Sequence, residues 1–338
     1  MKKILVTGGC GYIGSHTLIE LIGKDYHYLS VDSLVNSSEE ALDHVAKITG
    51  KRPENTVLDL CDLEKLQDFF RKNTDIDAVI HFAALKSVPE SVANPILYYN
   101  NNLLSLNNLL SCCKEFGIKN FIFSSSCSIY GNVESLPVNE QTAWGRAESP
   151  YAATKQMGER ILEDFCKVHP DFRAIALRYF NPVGSHFSGW NGENPINPPS
   201  NLVPVITQTA AGIRETMTVF GSDYPTRDGS CVRDYIHVTD IADAHILALE
   251  YLEKNQNESN FEVFNLGTGQ GVSVLEAIAA FEKVSGQKLN YQIGARRSGD
   301  VAAIYSDSGL AEKKLAWKPR FGIEDMMSSA WKWQQYIK

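Results

Sequence analysis

The sequence predicts an α/β protein built on a doubly wound parallel sheet. Three observations predict it. Short apolar runs of strand length alternate with helical patterns up to about residue 180. The first run, Lys3 to Thr7, is followed at once by Gly8, Gly11 and Gly14 and then by an apolar helical pattern, Tyr12-Ile13 through Ile22. The second run, Tyr26 to Asp32, ends in an acid 18 residues after Gly14.

Composition narrows the function classes. The chain has 338 residues, 43% hydrophobic and 21% charged, enough for about two domains with a substantial core. A net charge of −8 argues against a nucleic-acid or anionic-membrane partner. The seven cysteines are odd in number and form no Cys-x-x-Cys, so no metal site or disulfide framework is expected. A reducing cytoplasm fits this usage, and Cys127 and Cys231 are read as packing residues. Met-Lys-Lys runs straight into the first strand, so no signal peptide is expected. No run approaches the ~20 apolar residues of a membrane span.

The elements follow in order. A glycine-rich turn between strand and helix is a place for a pyrophosphate, because the helix N-terminus offers unpaired N–H groups and partial positive charge. Gly8 allows the tight turn, Gly11 close backbone approach, and Gly14 close helix–strand packing. Asp32 would accept hydrogen bonds from the adenosine ribose and repel a 2′-phosphate. Ser33 to Ser38 has no Arg or Lys to welcome one, so NAD is favoured over NADP. These are the marks of a Rossmann-like nucleotide fold. Asn55 to Asp59 is a third strand, with Asp59-Leu60 placed for the adenine edge and Asp62 as a helix cap. Asp77 to Phe82 is a fourth, and the small Ala83 and Ala84 after it allow close approach of a cofactor. His81 is read as structural, Lys86 as a phosphate or carboxamide contact. Pro95 to Phe116 is a long helix with Leu103, Leu106, Leu109 and Leu110 on one face, and Asn101 and Asn102 are placed to reach the cofactor. Phe121 to Phe123 leads into three serines, and Phe172 to Phe180 is the sixth strand.

From Asn181 the texture changes to Pro, Gly, Asn and Trp with little periodicity. Leu202 to Ile213 reads as a helix, Thr218 to Phe220 and Phe261 to Leu266 as strands, and Asp240 to Glu253 and Ser273 to Ser285 as helices. Arg296 to Asp300 is a charged loop. Residues 1–180 are expected to form the NAD-binding domain, with 236–268 returning to it. Residues 181–235 and 269–338 form a smaller mixed α/β substrate domain.

The reactive candidates are Tyr151 and Lys155, one helical turn apart on one face. A phenol ionises near 10, and a fixed neighbouring cation is expected to lower that value and make a base for a sugar or steroid hydroxyl. The chain has 14 tyrosines, so one Tyr-x-x-x-Lys is expected about once by chance; its surroundings carry the argument.

Gly8-x-x-Gly11-x-x-Gly14, Asp32, Ser126, Tyr151-x-x-x-Lys155 and Asn181-Pro182 together resemble the extended short-chain dehydrogenase/reductase family over nearly the whole chain. Tyr224 to Asp240, Asn36 to Glu40, Phe82 to Val88 and Asn181 to His186 resemble the signatures of its UDP-glucose 4-epimerases. The resemblance implies a tightly held NAD and a transient oxidation at the hexose C4, followed by rotation of the 4-keto sugar and return of hydride. Tyr151 would be the base, Lys155 would lower its pKa and hold the nicotinamide ribose, and Ser126 would bond the same sugar oxygen. NAD contacts are implied for Gly8, Gly11, Tyr12, Ile13, Gly14, Asp32, Asn36, Asp59, Leu60, Phe82, Ala83, Ala84, Lys86, Asn101, Ser124 and Tyr179, besides Tyr151 and Lys155. UDP-sugar contacts are implied for Lys86, Ser126, Tyr151, Asn181, Asn201, Leu202, Thr218, Phe220, Arg233, Tyr235, Arg297, Asp300 and Ile304, with the two arginines on the diphosphate. A homodimer through first-domain helices is implied too.

Two positions depart from the pattern. Ser33 replaces a common Asn after the strand-two acid. Ile304 stands where members restricted to plain hexoses often carry Tyr. The smaller side chain suggests that 2-acetamido sugars (UDP-GlcNAc, UDP-GalNAc) are also accepted, unless Tyr305 fills the space. A sugar-nucleotide 4,6-dehydratase would need an acid/base pair where this chain has Cys127 and Ser128. A UDP-glucuronate epimerase or decarboxylase would need a cationic site for the sugar carboxylate, and none can be placed. A non-catalytic NAD-binding regulator would have no need of Tyr151, Lys155 and Ser126 together.

Overall fold

The structure, a computed structural model, describes residues 2–297 and 300–337; Ser298 and Gly299 of the expected charged loop lie outside the described residues. In chain order the elements are β1 (Lys3–Thr7), α1 (Tyr12–Gly23), β2 (His27–Asp32), α2 (Glu40–Thr49), β3 (Asn55–Val57), α3 (Leu63–Lys72), β4 (Ile76–His81), α4 (Val88–Ala93), α5 (Pro95–Glu115), β5 (Asn120–Ser126), a 3-10 turn (Cys127–Tyr130), α6 (Pro150–Val168) and β6 (Arg173–Tyr179). They continue with β7 (Asn181–Val183), α7 (Leu202–Ala210), β8 (Met217–Phe220), β9 (Val232–His237), α8 (Val238–Glu253), β10 (Phe261–Leu266), β11 (Gly271–Ser273), α9 (Val274–Ser285), β12 (Tyr291–Gly294), β13 (Ala303–Ile304), α10 (Gly309–Leu315) and α11 (Ile323–Tyr336). The chain divides into two compact units. Unit 1 comprises residues up to Gly131, Ala143–Arg178 and Ala242–Phe264; unit 2 comprises Asn132–Thr142, Tyr179–Ile241 and the chain from Asn265.

Unit 1 is organised on a seven-stranded parallel sheet in the order β10-β6-β5-β4-β1-β2-β3. The order reverses between β1 and β4, and in such sheets ligands bind at the carboxyl ends of the strands beside that switch. Register brings those ends together: Thr7 lies opposite Val31 of β2 and His81 of β4. The sheet is held by continuous apolar runs buried on both faces. Leu5, Val31, Val79 and Phe121 pack with Phe70 of α3 and Leu109 of α5, all buried; each such side chain contributes ~1.5–3 kcal/mol. Local signals set the helix starts. Asp62 caps α3, accepting from Lys65 N at 3.2 Å. Ser149 caps α6, accepting from Ala152 N at 3.2 Å, and Pro150 opens that helix. This start places Tyr151 in the first turn of α6.

Unit 2 is smaller in its sheets. Strand β9 pairs with β11, β13 and β7, and β8 and β12 form a separate parallel pair. Helices α7, α9 and α11 close over a core that includes Ile206, Met217, Phe281 and Met327. Asp234 of β9 is fully buried and knits this sheet to its loops. Its carboxylate accepts from Thr268 N and Oγ1, Gly269 N, and Ser306 N and Oγ. The expected helix from Leu202 to Ile213 ends earlier, at Ala210, because Gly212 takes a left-handed φ of 74° and turns the chain out of the helix.

Candidate active site

The glycine turn is shaped by the ends of β1 and β4. Gly8 has a φ of 75°, and a Cβ there would come within 2.8 Å of Ala83 N. A Cβ on Gly14 would overlap the Gly8 carbonyl. Gly11 is the N-cap of α1 and offers no side chain to the helix, so no side chain caps the first-turn N–H groups, where Tyr12 and Ile13 begin. Asp32 is buried, and its carboxylate is oriented by three donors. Cys10 N reaches Oδ2 at 3.1 Å; Leu34 N and Ser37 Oγ reach Oδ1 at 3.0 and 2.7 Å. Asp32 therefore braces the glycine turn as well as closing β2. Asn36 is exposed beside it, as is Asp59 at the end of the β3 segment. Leu60 packs into the core, and its carbonyl accepts from Asn108 at 2.9 Å.

At the end of β4, His81 is joined to Thr7 by a 2.7 Å hydrogen bond. Burial, and then the Lys155 charge, push its pKa down to about 3. It is a neutral structural residue, as its place in an apolar strand predicts. Phe82 packs on His245, with ring centroids 4.6 Å apart. Ala83 and Ala84 are half-buried and Lys86 is exposed. Asn102 corrects the sequence reading. It is turned inward: its side chain accepts from Leu85 N at 2.8 Å and donates to Leu85 O at 3.0 Å and Thr154 Oγ1 at 3.1 Å. Thr154 in turn donates to Tyr151 O at 2.7 Å. Asn102 thus joins the 83–86 loop to the helix that carries Tyr151. Asn101 donates to Asn102 at 2.9 Å.

The reactive group lies at the ends of β5 and α6. The Lys155 ammonium donates to the Ser124 carbonyl at 2.6 Å and sits 4.9 Å from the Phe123 ring and 5.9 Å from the Tyr151 ring. Ser126 closes β5 and hydrogen-bonds the Tyr151 hydroxyl; its Oγ also accepts from Ser128 N at 3.2 Å. Tyr179 is buried at the end of β6. The expected effect of Lys155 on Tyr151 is corrected here. Burial pushes the Tyr151 phenol up to about 12; the Ser126 hydrogen bond opposes this and the nearby Cys127 adds to it. Lys155 is itself pushed down to about 8 by burial. The cation is anchored on the Ser124 carbonyl, and burial is the largest influence on the phenol.

In unit 2, Asn181, Arg233, Tyr235 and Ile304 lie on β9 or on the strands paired with it. Asn181 in β7 has a buried side-chain Oδ1 with no hydrogen-bond partner in the structure; such an atom is built for a donor. Arg233 donates to the Val232 and Val301 carbonyls at 2.9 and 2.8 Å, and lies 3.6 Å from Asp300. Arg297 also holds Asp300, with bonds of 3.1 and 2.9 Å, and its guanidinium lies 5.6 Å from the Phe220 ring. The two arginines thus share one carboxylate. Tyr235 is buried in β9, Asn201 precedes α7 and donates to Glu193 at 3.2 Å, Leu202 packs on the unit 2 core, and Thr218 lies half-buried in β8. Ile304 is buried and pairs in register with Arg233. Its neighbour Tyr305 points elsewhere, against Gly271, where a Cβ would come within 2.9 Å of its ring.

The profile of the NAD dependent epimerase/dehydratase family matches residues 4–267. The chain belongs to this family. Its relatives there include UDP-glucose 4-epimerases. The Drosophila melanogaster enzyme of that name is 47% identical over 337 residues, covering 98% of this chain and 96% of its own. The Bifidobacterium longum UDP-glucose 4-epimerase, solved in complex with NAD+ and UDP, has a TM-score of 0.95 at 45% identity, over 99% and 98% of the two chains. The UDP-Glc/GlcNAc 4-epimerase of Campylobacter jejuni has a TM-score of 0.84 at 36% identity, over 99% and 100%. Within this epimerase family setting, the parts not foreseen from the sequence are Ser37 on Asp32 and the Asn102–Thr154 link. Ser37 carried a readable signal, a serine five residues after the strand-two acid; Asn102 carried none, since its partners lie 17 and 52 residues away.

Proposed function

We propose that the protein is an NAD-dependent UDP-hexose 4-epimerase that interconverts UDP-glucose and UDP-galactose. The observation that carries this reading is the set of Ser126, Tyr151 and Lys155 at the sheet's carboxyl edge, with Cys127 and Ser128 in place of carboxylates. The chain's own residues fit NAD. Gly8 and Gly14 let the turn pack tightly on the end of β4 and on itself, α1 has no side-chain cap at its N-terminus, and Asp32 is oriented and buried. When bound, NAD supplies a hydride acceptor and a positively charged ring. The chain supplies the proton chemistry. Ser126 and Tyr151 hold the sugar's C4 hydroxyl, and Tyr151 accepts its proton and later returns it. Burial holds the phenol at about 12 in the chain alone, so it is protonated near neutral pH, and the positive charge of a bound NAD would favour the phenolate. Arg233 and Arg297 bind the UDP diphosphate, with Asp300 between them to set their spacing.

The test is direct. The purified protein is denatured and any released dinucleotide is identified by mass. Intact protein is incubated with UDP-galactose without added cofactor. Bound NAD and formation of UDP-glucose are expected. No sugar conversion by NAD-loaded protein would remove the epimerase reading, and a 4-keto-6-deoxy product would replace it with the dehydratase.

The same reading extends to the acetamido sugars. Ile304 is small, lies beside Arg233 in register, and Tyr305 is turned away. The Campylobacter jejuni relative is a UDP-Glc/GlcNAc enzyme by name. No detectable conversion of UDP-GlcNAc by active protein would end this extension. Unit 1 is the proposed NAD-binding domain and unit 2 the proposed UDP-sugar domain; the expected boundaries of 1–180 with 236–268 shift, since 132–142, 179–180, 236–241 and 265–268 cluster with unit 2. A homodimer is supported by exposed apolar side chains on unit 1 helices, among them Ile96, Leu97 and Leu104 of α5 and Met157 of α6; sedimentation at micromolar concentration decides it. Seven free thiols support a reducing, cytoplasmic location.

A further inference from the structure

Further along the reactive face of α6 lies a buried ionic group. Glu159 stands one turn after Lys155 and is 1% exposed; Arg178 of β6 is 3% exposed. Arg178 grips the carboxylate with both ends of its fork, Nη2 to Oε2 at 2.6 Å and Nε to Oε1 at 2.9 Å. Its third arm donates to the Tyr130 hydroxyl at 2.9 Å. The same Oε1 also accepts from the Ser125 hydroxyl.

Stability alone is a poor reason for such a pair. Taking two charges out of water is costly, and apolar side chains of similar volume often serve as well. Its location is more telling. Ser125 lies between Ser124, whose carbonyl holds Lys155, and Ser126, whose hydroxyl meets Tyr151. Side chains alternate along a strand, so Ser125 reaches the carboxylate from the face opposite Ser124 and Ser126. Gly158, next to Glu159, lets α6 lie close on β5; a Cβ there would come within 2.8 Å of the Phe123 ring. Gln156, next to Lys155, donates to the carbonyls of Ile129 and Gly145 at 2.8 and 2.9 Å and fixes the turn beyond Ser126.

We infer that Glu159, held by Arg178, is a positioning residue that acts through Ser125 to fix the end of β5 against α6, and so the mutual placement of Ser126, Tyr151 and Lys155. This rests on the proposed epimerase reading for its consequence in turnover, and on geometry alone for its effect on Lys155. The groups facing Lys155 are His81 on β4, neutral, the Ser124 carbonyl on β5, and Tyr151 and Glu159 on α6. Among these, the Glu159 carboxylate favours the charged ammonium against burial.

Three variants of the NAD-loaded protein test the inference: Ser125→Ala, Glu159→Gln, and the apolar pair Glu159→Met with Arg178→Met. Turnover and KM for UDP-galactose are read beside retained NAD, melting temperature and the Lys155 titration. The titration is followed by NMR of 13Cε-lysine protein, with the resonance assigned by its loss in Lys155→Met. A misplacement of about 1 Å at a reacting group costs on the order of 100-fold. Ser125→Ala is expected to lower kcat about 10-fold with KM and bound NAD unchanged. The apolar pair is expected to fold with an unshifted melting temperature and a kcat at least as low as that of Ser125→Ala. Glu159→Gln is expected to move the Lys155 midpoint to lower pH, a shift that a purely structural role would not produce. Wild-type kcat in folded Ser125→Ala and in the folded apolar pair overturns the inference, as does an unmoved Lys155 midpoint in Glu159→Gln. If wild-type protein converts no UDP-hexose while the midpoint still moves, the epimerase reading fails and the placement of Lys155 by Glu159 stands.

Discussion

The two units hold their candidate functional groups in opposite ways. In unit 1 the groups that would react are buried and bonded to backbone: Lys155 to the Ser124 carbonyl, Asp32 to Cys10 and Leu34. In unit 2 the groups that would bind a diphosphate are partly open and paired with one another through Asp300. Chemistry needs fixed geometry and low dielectric, where a small displacement costs rate. Binding of a large charged group needs donors that can exchange one anion for another. Arg233 and Arg297 already hold a carboxylate, and their fork geometry suits phosphate equally.

The largest expected effect breaks unit 1 at its reacting atom. Tyr151→Phe should lower kcat by about 1,000-fold while leaving bound NAD at one equivalent. A loss under tenfold would show that the buried phenol is not the base and that the contrast between the units is false.

Next comes a matched pair of glycines. Gly8→Ala places a Cβ 2.8 Å from Ala83 N at a φ of 75°, and should cost about 1–3 kcal/mol and release NAD. Gly212→Ala in unit 2 has nearly the same φ, 74°, and nothing within 4 Å. It should cost about 1 kcal/mol of strain alone, with NAD retained. Equal melting temperatures and equal NAD contents for the two variants would mean that the crowding at Gly8 is unimportant.

The arginines sharpen the comparison within unit 2. Arg233 has 16% of its side chain exposed and Arg297 44%. A buried charge-assisted bond is worth about 1.5–3 kcal/mol, so Arg233→Gln should raise KM roughly 10- to 100-fold with kcat little changed. Arg297→Gln, more screened, should raise it only a few-fold. The reverse order would show that exposure does not rank these two contacts.

The remaining effect is a pH dependence in unit 1. Lys155 ionises near 10.5 in the unfolded chain and at about 8 in the folded protein. Between those values the unfolded chain binds more protons, so this group makes stability rise with pH across that window. Below about 8 its burial as a cation is a full cost to the fold. Wild-type stability, measured by urea unfolding against Lys155→Met, should therefore gain on the variant from about pH 8 upward. A constant difference between pH 7 and pH 10 would show that Lys155 is not a destabilised cation.

Much of unit 1 was legible from the chain. The glycine turn, the strand-two acid and the cap at Asp62 are local signals, and β10 was readable as Phe261–Leu266. Unit 2 was less legible. Strands β7, β11 and β13 have two or three residues each and carry no periodicity of their own; β9 draws them together through register and the Asp234 carboxylate. Residues Asn132–Thr142 also cluster with unit 2, through Val138, which bridges to Ser306, and Asn265, which donates to Val138 O. Those pairings span more than a hundred residues, and nothing nearby in sequence announces them.

The chain by itself determined the parallel α/β sheet, the nucleotide turn, the preference carried by Asp32 and the one-turn spacing of Tyr151 and Lys155. These follow from backbone sterics and from periods of two and 3.6 residues, which act between near neighbours. Only the tertiary structure decided how those groups behave. It raised the phenol of Tyr151 to about 12 instead of lowering it, set Lys155 on a carbonyl, turned Asn102 inward and placed Glu159 on Arg178. Each of these depends on burial and on partners brought from distant segments, and the free energy of a charge is set by what surrounds it in space.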